Sequence, residues 1–249
     1  MIIADKNKLV YENQGEHLEI TPWGTDSFRV RSTKFPQLCH EDNALSMAVN
    51  HRADECLAVG QRGEITNGKI KAAVNGRGKI TFFDQNDKIL LDEYQRSRNA
   101  TMKKGVDEDR TTRFNSALKI EPRTFSGIAG GDFKLTLRFE SEPNEKVFGM
   151  GQYQQANFDL KGSELELAQR NSQSTVPFMI SILGYGFLWN NPAIGRATFG
   201  KNVTTWEANA TKELDYWITA GDTPSEIERH YAEVTGTVPE IPDYGLGFW

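Results

Sequence analysis

Cysteine is scarce. The chain has 249 residues and two cysteines, Cys39 and Cys56, too few for a disulfide framework and in keeping with a reducing compartment. Long apolar runs are missing too, and none approaches the roughly 18–20 residues that span a bilayer. Positive charge is not in excess: 29 Lys+Arg stand against 34 Asp+Glu, a formal net charge of −5. A nucleic-acid partner, which calls for a clustered basic face, is therefore not expected, nor is a membrane partner. The start, Met1-Ile-Ile-Ala-Asp-Lys-Asn-Lys8, lacks the basic and apolar segments of a secretory signal. A cytoplasmic location is the expectation, and the sequons at Asn99, Asn202 and Asn209 then read as chance matches.

Catalytic signatures are equally sparse. There is no Gly-x-Ser-x-Gly elbow, and Gly149-Met-Gly151 lacks the helix start that would cradle a phosphate. Four residues, Cys39, His40, His51 and Cys56, could be imagined around zinc, but their spacing fits no common zinc module. Neither a metal site nor a cofactor is expected. Glu164 and Glu166 share one strand face, roughly 7 Å apart by strand rise, a spacing that suits glycoside chemistry. The simpler reading has Leu165 and Leu167 packing inward while both glutamates meet water, and it is preferred.

What the chain does have is a period of two. In Phe133-Lys-Leu-Thr-Leu-Arg-Phe-Glu140 the apolar residues alternate strictly with polar ones, as a half-buried antiparallel strand requires. Similar patterns recur at 17–20, 27–31, 79–83, 88–92, 163–168, 178–183, 186–190, 204–208 and 213–219. Turn signals separate them: Thr66-Asn-Gly68, Asn75-Gly76, Asp84-Gln-Asn-Asp87, Gly184 and Asn191-Pro192. The fold class expected is all-β, a large antiparallel β-sandwich. Trp189 and Trp206 belong by default to its core, although strand aromatics (with Trp217, Tyr153 and Phe158) could also stack on sugars.

One helix closes the pattern. Thr223-Pro-Ser-Glu226 is a capping box with Pro at the first helical position. Ile227, Tyr231 and Val234 form an apolar stripe, and Gly236 is expected to supply a left-handed cap. Two prolines follow, then the apolar end Tyr244-Gly-Leu-Gly-Phe-Trp249. Natural C-termini are usually polar, so this end reads as a cut through a longer protein. The expected division is a sandwich domain over 1–222 and a linker helix leading toward a further domain over 223–249.

The second half of the chain carries a set of ordered motifs. They include Phe148-Gly-Met-Gly-Gln152, Asp159-Leu-Lys-Gly162, Gln169-Arg-Asn-Ser-Gln173, Val176-Pro-Phe178, Gly184-Tyr-Gly-Phe-Leu-Trp-Asn-Asn-Pro192, Leu214-Asp-Tyr-Trp217, Ala220-Gly-Asp-Thr-Pro224 and Tyr244-Gly-Leu-Gly-Phe-Trp249. In these the chain resembles the segment ahead of the catalytic barrel in glycoside hydrolase family 31. The resemblance implies a galactose-mutarotase-like N-terminal sandwich, then a (β/α)8 barrel that holds both catalytic carboxylates. No residue of this chain is therefore assigned a catalytic role. The implied partners are an α-linked oligosaccharide or glycoside substrate and the protein's own barrel.

The same resemblance makes Asn171 and Gln173 the substrate-binding candidates, on a loop that reaches over the barrel. Many family α-glucosidases have an Arg-Asp pair where Arg170-Asn171 stands here. Asn171 thus offers a neutral amide that both donates and accepts, and the pattern looks nearer the α-xylosidase-like members. The function expected is that of a non-catalytic N-terminal domain shaping a retaining α-glycosidase's sugar pocket. A free-standing carbohydrate-binding module is the alternative. Mutarotase chemistry ranks last, because no histidine stretch resembles its acid/base motif.

Overall fold

The computed structural model describes residues 1–39, 41–47, 52–96 and 119–247. His40, His51, the sequon at Asn99 and the final Phe248-Trp249 lie outside the described residues.

The strands follow the two-residue period. The first half of the chain forms β1 (Ile2–Asp5), β2 (Lys8–Asn13), β3 (Glu16–Pro22), β4 (Ser27–Thr33), β5 (Glu55–Val59), β6 (Arg62–Asn67), β7 (Ile70–Val74), β8 (Ile80–Asp84) and β9 (Ile89–Asp92). The second half forms β10 (Arg123–Gly127), β11 (Phe133–Glu140), β12 (Val147–Gln152), β13 (Glu164–Leu167), β14 (Ser174–Ser181), β15 (Tyr185–Trp189), β16 (Gly195–Phe199), β17 (Val203–Thr211) and β18 (Glu213–Ala220). Three sheets result: an eight-stranded sheet ordered β1-β2-β3-β4-β18-β15-β14-β12, and two five-stranded sheets ordered β10-β11-β17-β16-β13 and β5-β6-β7-β8-β9. Every pairing in them is antiparallel. The all-β sandwich expected from the sequence is the fold observed.

The turns fall where the sequence signalled them. Asn67-Gly68 links β6 to β7, Asn75-Gly76 links β7 to β8, 85–88 links β8 to β9, and Gly184 links β14 to β15. The patterns named cover ten of the eighteen strands and pass over β1, β2, β5, β6, β7, β10, β12 and β16; in β5, Leu57 and Val59 lie exposed on a sheet edge, so burial there imposes no alternation.

The two five-stranded sheets adjoin through a bridge between Glu93 and Phe139, reinforced by a Tyr94 N–H donating to the Arg138 carbonyl at 2.9 Å. Together they form one layer facing the eight-stranded sheet. The shared core draws Phe28, Ile20 and Tyr216 from the large sheet, Phe82 and Ile65 from one small sheet, and Leu137 and Trp206 from the other. Trp189 stacks on Trp206 with ring centroids 5.8 Å apart, and both are buried, as expected.

Helix α1 (Pro224–Thr235) lies on the opposite, outer face of the large sheet. Its Ile227 and Val234 pack with Leu45, Phe178, Leu188 and Trp217, and Tyr231 stacks on Phe178 at 4.1 Å. This explains why β18 is buried along its whole length: Tyr216 and Ile218 face the interlayer core, while Asp215 and Trp217 face the helix side. The capping box forms with a shift. Thr223 Oγ1 accepts from the Glu226 N–H at 3.2 Å, but the Glu226 carboxylate accepts from the Asp222 N–H, at 2.8 Å, one residue before the cap. Gly236 has positive φ (94°) as expected, yet its ψ of 157° is extended rather than left-handed helical. Its N–H still closes the helix on the Ala232 carbonyl at 2.9 Å.

Candidate functional site

The candidate loop is anchored by an edge strand that only glycine permits. In β12, Gly149, Met150 and Gly151 all have positive φ (104°, 71° and 90°), and the register against β14 shifts between Gly149 and Gly151. A Cβ on Gly149 would lie 2.7 Å from the Phe178 carbonyl, and one on Gly151 only 2.2 Å from that of Ser174. The bulge turns Met150 into the core, where it is fully buried. The chain then leaves the sheet edge through the exposed 154–158 segment, where Phe158 leans on Phe148 at 5.0 Å.

The return is pinned at Asp159-Leu-Lys-Gly162. One Asp159 oxygen accepts from the N–H groups of Val147 and Lys161, both at 3.1 Å. The Gly162 N–H donates to the Phe199 carbonyl at 2.7 Å, and Lys161 pairs with the buried Glu145 at 2.9 Å. Glu145 also accepts from Ser181 and Tyr185, both at 2.7 Å. Burial first, then the Glu145 charge, pushes the Tyr185 hydroxyl well above its ordinary pKa, so it serves as a hydrogen-bond donor throughout the working pH range.

Residues 168–173 cross from the small sheet, at β13, to the large sheet, at β14. Gln169 does the work of a backbone unit here. Its amide donates to the Thr175 carbonyl at 2.7 Å and accepts from the Thr175 N–H at 3.0 Å. The Thr175 hydroxyl donates to the Ala168 carbonyl at 2.9 Å, and Tyr153 donates to the Glu166 carbonyl at 3.0 Å. The tip is a tight turn closed by the Gln173 N–H on the Arg170 carbonyl at 3.2 Å, with Ser172 at φ 66°.

Asn171 and Gln173 share this turn but differ in setting. Asn171 is exposed at the tip, and its side chain makes no hydrogen bond to another described residue. Gln173 is half-buried and donates to the Ala168 carbonyl at 3.3 Å. The five consecutive polar side chains thus form a hairpin tip whose ends are clamped and whose apex is free. Of the clamp residues, Gln169 belongs to that polar run and Tyr153 was a candidate aromatic, while Thr175 carries no signal of its own in the sequence.

The other candidates resolve as packing or surface. Leu165 and Leu167 are buried and Glu164 and Glu166 exposed, as preferred. Glu164 pairs with Arg196 at 3.1 Å, and Glu166 takes a bidentate bond from Arg170, at 2.7 Å on each arm. Cys39 and Cys56 are free, half-buried thiols. Trp217 is buried and donates to the Trp23 carbonyl at 2.8 Å. Of the five aromatics that might have stacked on sugars, Phe158 alone is largely exposed. Among the described residues, no helix is long and apolar enough to cross a membrane.

An eight-stranded sheet laid on a continuous layer of two smaller sheets, with one late helix on its back, defines a mutarotase-like sandwich domain. Residues 4–196 match the glycosyl hydrolase 31 N-terminal galactose mutarotase-like domain, and the chain belongs to that family. It is 45% identical over 248 residues to the family 31 glucosidase ORF2 of Pseudescherichia vulneris, covering 100% of this chain and 46% of that protein. Against α-xylosidase A of Aspergillus niger it is 27% identical over 257 residues, covering 94% of this chain and 32% of that protein. Among solved structures, a family 31 α-xylosidase from a soil metagenome, complexed with xylose, superposes with a TM-score of 0.91 at 49% identity. That match covers 100% of this chain and 36% of the other. The chain thus spans less than half the length of these relatives.

Proposed function

We propose that this chain is the N-terminal, non-catalytic domain of a retaining α-glycosidase, with α-xylosides favoured over α-glucosides. In this reading it packs beside a (β/α)8 catalytic barrel, and its 169–173 turn helps to shape the sugar pocket through Asn171 and Gln173. The observation that carries it is the match along the whole chain, at 49% identity, to an α-xylosidase solved with xylose. The division at 222/223, with the helix leading toward the barrel, belongs to the same reading. So does a cytoplasmic location, which the two free thiols suit.

The geometry of the turn supports the role. A rigid, clamped stem presenting an unbonded amide is a preorganised contact, and preorganisation lowers the ordering cost of binding. In the barrel-bearing enzyme, Asn171→Ala should lower kcat/KM for an aryl α-xyloside by roughly 1–3 kcal/mol of transition-state binding, as for a lost buried hydrogen bond. Unchanged kinetics would remove Asn171 from the pocket. The 249-residue chain alone should not hydrolyse the same substrate; turnover by it would overturn the reading.

The free-standing binding module makes the opposite prediction in calorimetry. It requires measurable oligosaccharide affinity in the isolated chain, whereas a pocket-completing domain shows none. The burial of Trp189, Trp206 and Trp217 weighs against the module, because their faces are spent on the protein interior.

A further inference from the structure

On the helix side of the large sheet, remote in sequence from the 169–173 turn, three ligand-type side chains converge. Asp26 comes from the β3–β4 turn, and Glu226 and His230 come from one face of α1, four residues apart. Their ligand atoms all lie within 4.8 Å of one another. His230 is 1% exposed and Asp26 8%.

The contacts around the imidazole allow one nitrogen to be bare. Thr219 Oγ1 lies 2.8 Å from His230 Nδ1, and within 3.2 Å and 3.3 Å of the carbonyls of Asp26 and Ala220. When the hydroxyl proton goes to one of these carbonyls, its oxygen accepts the Nδ1 proton. That leaves a lone pair on Nε2, which has no hydrogen-bond partner although it is buried. What it faces is Asp26 Oδ2 at 4.0 Å, too far for a hydrogen bond. The other Asp26 oxygen is already held by the Lys69 N–H at 2.8 Å. In that tautomer two buried acceptors point at one another across a gap.

We propose that Asp26, Glu226 and His230 bind one divalent transition-metal ion, Zn²⁺ being the simplest, which clamps helix α1 to the large sheet. One imidazole with two carboxylates is a donor set that suits such an ion. Tetrahedral ligands about 2.1 Å from an ion lie roughly 3.4 Å apart, so the 4.0 Å gap between Nε2 and Oδ2 closes by about half an ångström on binding. Glu226 is the outermost and least buried of the three, and it closes the set by a small rotamer adjustment; water completes the coordination from the solvent side. One Glu226 oxygen accepts from Lys69 at 2.7 Å and the other from the Asp222 N–H at 2.8 Å, and each oxygen keeps a further lone pair for the ion. The contact between Nδ1 and Thr219 Oγ1 holds the ring in place, as an outer-shell partner does in metal sites.

The test is a titration of the chelator-stripped 249-residue chain with ZnCl₂ by calorimetry, with melting followed in parallel. One Zn²⁺ per chain is expected, with a rise in Tm. Kd should weaken at least tenfold in His230→Gln and in Glu226→Gln, and the rise in Tm should disappear in both. Glu226 is less buried than His230, so E226Q keeps the test open if H230Q fails to fold. A half-buried histidine elsewhere, His17, sits between Glu12 and Glu19 at 3.2 Å and 3.1 Å, and H17Q serves as the control. No binding, or binding that only H17Q weakens, would overturn the proposal. Loss in E226Q and H230Q with H17Q unchanged establishes it.

Discussion

Arg29 occupies a strand position between Phe28 and Val30, and it is 1% exposed. It is held there because Asp215 takes two of its N–H groups, at 3.1 Å and 2.7 Å, while Asp42 takes a third at 2.7 Å. Asn190 adds a bond to Asp215 at 2.6 Å, and Trp23 lies over the guanidinium at 4.6 Å. Burial raises the Asp215 pKa, and the Arg29 bonds only partly offset that. Replacing Arg29 by Met leaves a buried carboxylate without its cation and should cost about 3–5 kcal/mol, measurable by urea unfolding. A second buried cluster bears on the acid behaviour. Arg123 joins Glu16 (at 2.6 Å) to the fully buried Glu93. Burial pushes the Glu16 carboxyl up, but the Arg123 charge and the bonds from Arg123 and Ser32 outweigh it, and the pKa is lowered. A lowered carboxylate pKa gives stability that is complete above the unfolded value, here 4.5, and lost as pH falls through the folded one. Glu16→Gln should accordingly flatten the loss of Tm below about pH 4.5. An unchanged acid limb would show that Glu16 does not set it.

At the level of elements, two features hold the helix and the edge strand in place. Thr223 caps α1 through its hydroxyl, so Thr223→Ala should lower stability by about 1 kcal/mol, read from the urea midpoint. The bulged β12 depends on Gly151, whose φ of 90° and contacts with the Ser174 and Val176 backbone exclude a side chain. Gly151→Ala should destabilise by roughly 1–3 kcal/mol. It should also alter amide exchange across β12, the start of the 154–158 segment and the Gln169–Thr175 clamp. Elements were legible in the sequence where one face met the core and the other met water. β11, with its strict alternation, was plain. β18 was legible as a strand, but its burial on both faces was not, because that depends on α1 returning to its back. The helix itself was announced by its cap and its stripe. The conformation at Gly236 was not, since glycine reaches several positive-φ regions equally well.

For the whole molecule, the order and density of turns determined an antiparallel β-sandwich, and the ordered motifs from Phe148 onward pointed to the family. Those signals are local, carried by alternation, turn residues and collinear spacing. How the layers form is not local. Joining two five-stranded sheets through the Glu93–Phe139 bridge, and pairing β4 with β18 across most of the chain, are long-range choices that no window of sequence contains. The site divides in the same way. The polar run at 169–173 was visible from its composition, yet only the fold clamps its stem through Gln169 and Thr175 and leaves Asn171 free at the apex. Asp26 and His230 stand about two hundred residues apart and shared no pattern at all. They meet because a turn between two early strands and a helix near the end of the chain are folded onto the same side of the large sheet. Period and punctuation determined what each segment becomes; burial of faces against distant partners, which only the closed structure supplies, decided which side chains are brought together.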